Sequence, residues 1–586
     1  MLGPYIEKKI VFGILIGILS GLAGVGFYYM VSLVARIVGY AMVSSYEGWT
    51  PDLSIYALNA SNRVIILIVL PVAALISGLI VYRFAPEAEG PGVDPTIEAY
   101  HHMRKLHLHL PVVKAVASSI MIGSGGSGGL QGPGLQIGGG IGHSIATILK
   151  LGLRYKRILM VAGMAGTLSA VFHSPIGAAL FAVEVLYRRD IEVEGIVSSL
   201  ISSITAYAVS THIMGYTWLL PRLVYNLVEL FAPAMIMNYI ALAFLSAVFA
   251  WLYIQSFHTV KKLVSKAGIS GIKRAAIPAA MVIPVAIIGY YVPYILGSGT
   301  GMLSQILVMT RNNNLDINML GLGTAASLLL LVLLKILATS LSMGSGGSGG
   351  LFAPAVFIGG TLGLFYGIIM GSPTTGIPPY FFAYIGIASF FGAATNTPFA
   401  TSFMVAEMSR DYYVLLPALI SSLISNEIIR YDTLYRSQPV RRPPTILVTP
   451  KELLSLIDKN VLSNIKVWEL TIRDKIVLDK NADLGKIREE IIRKYGETII
   501  PIIVGDEFYG VIDLRRQAIK QDMPRIDYQA CIIDALELMS RERIDYLVVT
   551  KGSKVIGVLT LCEIIRLLSS LIYEYQLRGF SRSRNA

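Results

Sequence analysis

The sequence predicts an all-α, polytopic membrane protein followed by a small soluble α/β domain, and three observations carry that expectation. The 586 residues divide sharply by charge, with 42 Asp, Glu, Lys and Arg side chains in the first 440 residues and 44 in the last 146. An average soluble domain is roughly a quarter charged throughout. The first part also contains a series of charge-free runs, several of them at or near the roughly 20 apolar residues needed to cross hydrocarbon. Finally, an eight-residue glycine motif in that part occurs twice, letter for letter.

Overall, 54% of the chain is hydrophobic and 15% charged, which excludes an ordinary soluble enzyme. The net charge of +12 divides as +8 and +4 between the two parts without a block of five like charges, so no nucleic-acid surface is indicated. The two cysteines, Cys531 and Cys562, lie in the charged part and fit a reducing cytoplasm better than a disulfide framework. At the N-terminus, Lys8 and Lys9 precede an uncharged run, 10–35, that is too long for a signal-peptide core and reads as a retained membrane helix.

Further charge-free runs follow at 64–82, 115–149, 158–183, 195–221, 230–260, 275–310 and 317–334. The longest, 336–406, has 71 residues without Asp, Glu, Lys or Arg but is broken by Gly344, Gly346, Gly347, Gly349, Gly350, Pro354, Pro373, Pro378, Pro379 and Pro398. Such punctuation predicts several short helices. Non-helical backbone at membrane depth persists only where protein or a water-filled cavity satisfies its polar groups, so these breaks point to an internal site.

The motif Gly123-Ser-Gly-Gly-Ser-Gly-Gly-Leu130 returns as Gly344-Ser-Gly-Gly-Ser-Gly-Gly-Leu351, an offset of 221 residues that also relates Pro133 to Pro354 and Ile137-Gly138-Gly139 to Ile358-Gly359-Gly360. At offset 223, Gly163, Pro175 and Glu184 fall on Gly386, Pro398 and Glu407. The membrane part is therefore a duplication, and paired Gly/Pro-broken segments in two halves point to a transport site near the midplane.

Other readings of the motif fail on context. Gly123-x-Gly125-x-x-Gly128 matches a dinucleotide fingerprint, but no strand precedes it. Gly125-Gly-Ser127-Gly-Gly129 matches the G-x-S-x-G of serine hydrolases, yet from Gly344 to the end of the membrane part there is no histidine for Ser348, and Ser127 has only His143 or His173. Close helix packing explains small residues but not the matched prolines. Glycine turns opening into helices instead present N–H groups and the positive ends of helix dipoles, which favour an anion. A bare anion in hydrocarbon costs tens of kcal/mol on a Born estimate, and hydrogen bonds to it return roughly 1.5–3 kcal/mol each, so several donors must converge. The absence of a fixed cation in the broken segment lets the ion leave.

These residues resemble the CLC chloride channels and proton-coupled chloride transporters over essentially the whole chain. Gly90-Pro91-Gly92-Val93-Asp94 is similar to the family's GSGIP, Gly129-Leu130-Gln131-Gly132-Pro133 to its GxEGP and Gly350-Leu351-Phe352-Ala353-Pro354 to its GxFAP, while Tyr435 falls at its pore tyrosine. The resemblance implies the CLC fold, an inverted repeat of broken and tilted helices. It also implies a homodimer in the cell membrane whose subunits each have their own anion pathway. A central anion site would use the amides of Leu351 and Phe352 with the Tyr435 hydroxyl, and an outer site the amides around Leu130, Gln131 and Gly132.

Three departures shape the functional expectation. Pro91 replaces the family's central serine and offers neither hydroxyl nor N–H; in plant members a proline here accompanies a preference for nitrate. Gln131 replaces the outer gating glutamate and does not ionise near neutral pH. Val185 falls at the transporters' inner proton-accepting glutamate, and Glu184, one residue earlier and about 100° around a helix, points elsewhere. Passive conduction of chloride or a similar monovalent anion is the expectation, with a CLC anion/proton antiporter using an atypical proton path as the alternative. An intramembrane hydrolase built on Ser127 and a non-transporting membrane nucleotide sensor are the readings from other classes.

Glu184 and Glu407, at matched places in the repeats, are expected to be structural carboxyls near Arg188 or Arg410. His101, His102, His107 and His109 read as a polar face at a cytoplasmic mouth rather than a metal or pH-sensing site. No enzyme activity, metal or resident cofactor is expected.

The domain reading is a membrane domain over 1–440 with repeat halves at 60–220 and 235–435, a linker over 441–462, motifs at 463–522 and 523–575, and a basic tail at 576–586. In the soluble part, runs at 498–504, 509–512, 546–550 and 555–559 read as strands, the last leading into a helix over 561–571. This pattern resembles a CBS (cystathionine-β-synthase-type) pair, which implies a cytoplasmic position. Such pairs often bind adenine nucleotides through Thr/Ser-x-x-Asp, which here reads Thr560-Leu-Cys-Glu563 in the second motif and Asp513-Leu-Arg-Arg516 in the first. A purely structural dimerisation role is the equal alternative.

Overall fold

The computed structural model describes residues 3–42, 50–58, 60, 62–102, 106–149, 151, 153–216, 220–221, 230–319, 321–441, 466–469, 476–478, 499–504, 507–513, 518–520, 523–542, 544–552, 554–561 and 564. The chain forms two units, Met1–Arg442 and Pro443–Ala586.

The first unit is helical. Among the described residues, seven helices are long and apolar enough to cross a membrane: Ile10–Met42, Ile65–Phe84, Val193–Met214, Pro233–Lys266, Gly271–Tyr291, Thr324–Gly344 and Phe352–Thr375. Shorter apolar helices accompany them, including Leu110–Gly123 and Pro175–Glu184 between the long ones and Pro379–Thr395 after the last. The glycine motifs break the chain as the sequence predicts: Leu110–Gly123 stops at the first copy and Gln131–Ile148 begins after it, while Thr324–Gly344 and Phe352–Tyr366 flank the second. Gly125 and Gly346 hold φ at +106° and +102°, backbone that an L side chain rarely adopts, so the break demands glycine at these two places.

Matched packing extends the duplication. A Cβ on Gly123 would meet the Val31 carbonyl and the Val34 side chain, and one on Gly344 the Phe257 carbonyl and the Val260 side chain. The N-terminal helix is therefore the repeat-mate of Pro233–Lys266, and the first repeat reaches well beyond the boundary at residue 60.

The second unit uses one strand pattern twice. Ile476–Leu478 pairs parallel with Ile499–Val504, which pairs antiparallel with Glu507–Asp513. Likewise Arg525–Asp527 pairs parallel with Tyr546–Lys551, which pairs antiparallel with Lys554–Thr560. Helix Ile532–Glu542 buries Ala535, Leu536 and Met539 against Leu547, Val549 and Leu559. The sequence-predicted helix over 561–571 lies largely outside the described residues.

Candidate anion pathway

The two glycine motifs meet at the centre of the helical unit. Gly129 N–H donates to the Gly350 carbonyl at 2.8 Å, and Gly350 N–H donates to the Gly129 carbonyl at 2.6 Å. Reciprocal bonds between residues 221 apart place an approximate two-fold axis between them. The neighbouring hydroxyls obey the same relation, Ser127 to Thr339 at 2.8 Å and Ser118 to Ser348 at 2.9 Å.

Two buried lysines, Lys114 and Lys335, are also 221 residues apart. The Lys114 ammonium donates to the carbonyls of Ala88 at 2.8 Å and Gly90 at 2.6 Å, and that of Lys335 to Ile295 and Gly297, each at 2.9 Å. Each lysine fixes the turn before a helix, Gly90-Pro91-Gly92 before Val93–His102 and Gly297-Ser298-Gly299 before Thr300–Arg311. Sequence reasoning missed this pair, although the motif's own offset would have found it.

Helices Gln131–Ile148 and Phe352–Tyr366 begin just after the paired glycines, and neither Leu130 nor Leu351 caps its helix with a side chain. The first N–H groups of a helix have no intrahelical partner, so both termini offer donors and the positive ends of their dipoles. Gly132 sits so close to Pro91 that a Cβ there would lie 2.1 Å from the Pro91 carbonyl. The fold thus brings Leu130, Gln131, Gly132, Leu351 and Pro91 to one place, with Phe352 opening the second helix. Gln131 is 1% exposed, and both polar atoms of its side-chain amide lack a hydrogen-bond partner. A buried polar pair without a partner calls for a ligand or ordered water.

Tyr435 is buried and, with Pro91 and Gly344, lines a cavity of about 350 Å³. Its N–H donates to Thr433 Oγ1 at 3.1 Å; Thr433 donates to Gln438, whose amide donates to the Val185 carbonyl at 2.9 Å. The cavity wall carries Glu87, Glu89, Asp94 and Glu98 with Lys261 and Arg274. Arg274 pairs with Glu89 at 2.9 Å, Lys261 lies 3.5 Å from Asp94, and Glu87 pairs with His107. Partial burial pushes the Glu87 carboxyl up, but hydrogen bonds from His107 and the backbone outweigh it and hold the group below the usual carboxylate range.

Val185 closes helix Pro175–Glu184 as an apolar, buried side chain. Glu184 accepts N–H bonds from Phe399 at 3.3 Å and Ala400 at 2.7 Å, the first turn of Pro398–Ser409. Glu407 returns the favour, accepting from Ile176 at 3.0 Å, Gly177 at 2.9 Å and the Ser174 hydroxyl at 2.5 Å. Two antiparallel helices thus cap one another. The structural role expected for both acids is what their contacts describe, but their hydrogen bonds go to helix N-termini rather than to the arginines the sequence suggested.

The hydroxyl of Ser127 is taken up by Thr339, across the repeat, instead of by a histidine base. His101 and His109 bond the carbonyls of Leu186 at 2.9 Å and Phe84 at 2.8 Å, and no metal-binding group of three occurs among the described residues. Thr560 ends its strand and is buried, whereas Glu563 lies outside the described residues.

Broken helices whose uncapped N-termini meet inside a duplicated, apolar fold define a membrane transporter or channel for anions. The family "Voltage gated chloride channel" matches residues 73–430, and the chain belongs to it; a CBS domain matches residues 532–570. The chain is 30% identical over 421 residues to the H(+)/Cl(-) exchange transporter ClcA of Vibrio cholerae serotype O1, covering 70% of this chain and 84% of that one. It is 25% identical over 438 residues to the uncharacterized protein MJ0305 of Methanocaldococcus jannaschii, covering 74% and 97%. Among solved structures, a eukaryotic CLC transporter aligns with a TM-score of 0.63 at 17% identity, covering 95% of this chain and 98% of that one. A slow cyanobacterial Cl-/H+ antiporter aligns with a TM-score of 0.60 at 19% identity, covering 74% and 96%. These structural likenesses speak for the fold. The chain is thus a multi-helix CLC membrane protein with a C-terminal CBS region.

Proposed function

We propose that the protein conducts chloride or a similar monovalent anion passively, with Leu130, Gln131 and Gly132 forming an outer site and Leu351, Phe352 and Tyr435 a central one beside Pro91. The observation carrying this reading is the meeting of two uncapped helix N-termini next to the orphaned Gln131 amide. The amide N–H is a neutral donor that an anion satisfies, and neither it nor Val185 holds a titrating proton. The accompanying proposals are a homodimer with one pathway per subunit, a cytoplasmic CBS pair, and an adenine nucleotide held there by Thr560 and Glu563.

Coupled anion/proton exchange is the second reading. It is favoured by the curated relative, itself named an H(+)/Cl(-) exchange transporter, and four cavity carboxyls offer protonatable groups near Tyr435. Anion efflux from liposomes holding the purified protein, with internal pH recorded and voltage clamped by valinomycin and potassium, separates the two. Flux without proton movement is the expected result. Protons moving in fixed ratio to anions would establish exchange, and nucleotide binding without any flux would establish a sensor.

A further inference from the structure

Helix Pro233–Lys266 presents Phe257, Lys261 and Val264 to the cavity that holds Tyr435. Tyr253 lies one turn further along that face, since residues four apart share a side of a helix. Its phenol is wholly buried and donates to the Leu351 carbonyl at 3.3 Å. That carbonyl and the Phe352 N–H belong to one planar trans peptide unit and point in opposite directions. A donor holding the carbonyl fixes the plane and polarises the N–H at its other edge.

The duplication supplies an internal control. The contacts of Gly123 with Val31 and Val34, and of Gly344 with Phe257 and Val260, relate the two long helices by 226 residues, which sets Tyr253 on Phe27. Phe27 is 1% exposed, so the same ring is packed in both repeats, but only the copy beside Leu351 carries a hydroxyl. Packing accounts for the ring and not for the oxygen. The same neighbourhood contains Pro91, which has no donor to give.

We propose that Tyr253 is a positioning residue for anion passage: its hydroxyl holds the Leu351–Phe352 peptide so that the Phe352 N–H is aimed at the central anion, setting affinity and the preference between spherical chloride and planar nitrate. This rests on the reading of Leu351, Phe352 and Tyr435 as that site.

The test measures chloride and nitrate flux in liposomes as a function of concentration for wild type, Tyr253→Phe and Tyr435→Phe. Tyr253→Phe is expected to raise the half-saturating chloride concentration roughly threefold to tenfold and to change the chloride-to-nitrate flux ratio. The melting temperature should move little, because phenylalanine already fills the matching place in the other repeat. Replacing Tyr253 by 3-fluorotyrosine, a stronger donor that keeps the ring, should lower the half-saturating concentration, and this variant decides the matter if Tyr253→Phe fails to fold. A shift in Tyr435→Phe with wild-type concentration dependence and selectivity in both Tyr253 variants overturns the role of Tyr253 alone. No shift in any variant overturns the site itself.

Discussion

Gln131 carries the functional argument at the residue scale because it is buried at a helix N-terminus with an unsatisfied amide. Gln131→Glu would put an anion of the same shape there. Flux through that variant is expected to fall at neutral pH and recover as acid neutralises the carboxylate, whereas wild type stays nearly flat; efflux between about pH 4.5 and 7.5, spanning the ordinary carboxyl range, checks this. Tyr435→Phe should weaken anion binding several-fold, by about 1 kcal/mol for one hydroxyl donor, as read by calorimetric titration with chloride. Unchanged affinity in Tyr435→Phe alone, with Tyr253→Phe still shifted, would mean that backbone amides suffice. The residues proposed for the pathway stood out in the sequence because their motifs are short and contiguous, and the fold brings Leu130, Gln131, Gly132, Leu351 and Pro91 together. Tyr253 did not stand out, since a phenol touching a carbonyl 98 positions away leaves no local spacing to read; the two buried lysines could have been found through the motif's offset of 221.

Helices Pro175–Glu184 and Pro398–Ser409 depend on one another through their end carboxylates. Replacing either acid by glutamine keeps one acceptor oxygen and removes the charge, at a cost of about 1–2 kcal/mol. Because the two caps stabilise a single helix pair, Glu184→Gln and Glu407→Gln together should cost less than the sum of the single changes. Thermal denaturation in detergent of the two single variants and the double variant tests this, and wild-type stability in both single variants would remove the caps from the account. The sequence marked both acids as repeat-mates but attached them to nearby arginines, since a partner 215 or more positions away emerges only when the repeats are folded together. The strands of the second unit were easier to read, as β-branched runs separated by glycine turns.

For the whole molecule, the duplication and the change in charge density outline the architecture from the sequence alone. What composition hid was the reach of the first repeat into the N-terminal helix, because an apolar helix carries no repeat signature of its own. The division into Met1–Arg442 and Pro443–Ala586 leads to a further expectation. A chain ending at Arg442 should still pass anions in liposomes, since every residue assigned to the pathway lies before that point. Loss of flux with a folded helical unit, judged by circular dichroism and gel filtration, would make the second unit part of the permeation machinery.

The reciprocal bonding of the two repeats also bears on how the chain is made. Gly129, Ser118, Ser127 and Glu184 all emerge from synthesis long before Gly350, Ser348, Thr339 and the amides of Phe399 and Ala400 that satisfy them. Until then the first repeat holds polar groups with no permanent partner in an apolar setting, and it must wait as an incomplete half. These bonds form only once both halves have been made, so a chain halted between them would lack the partners that close the paired glycine motifs.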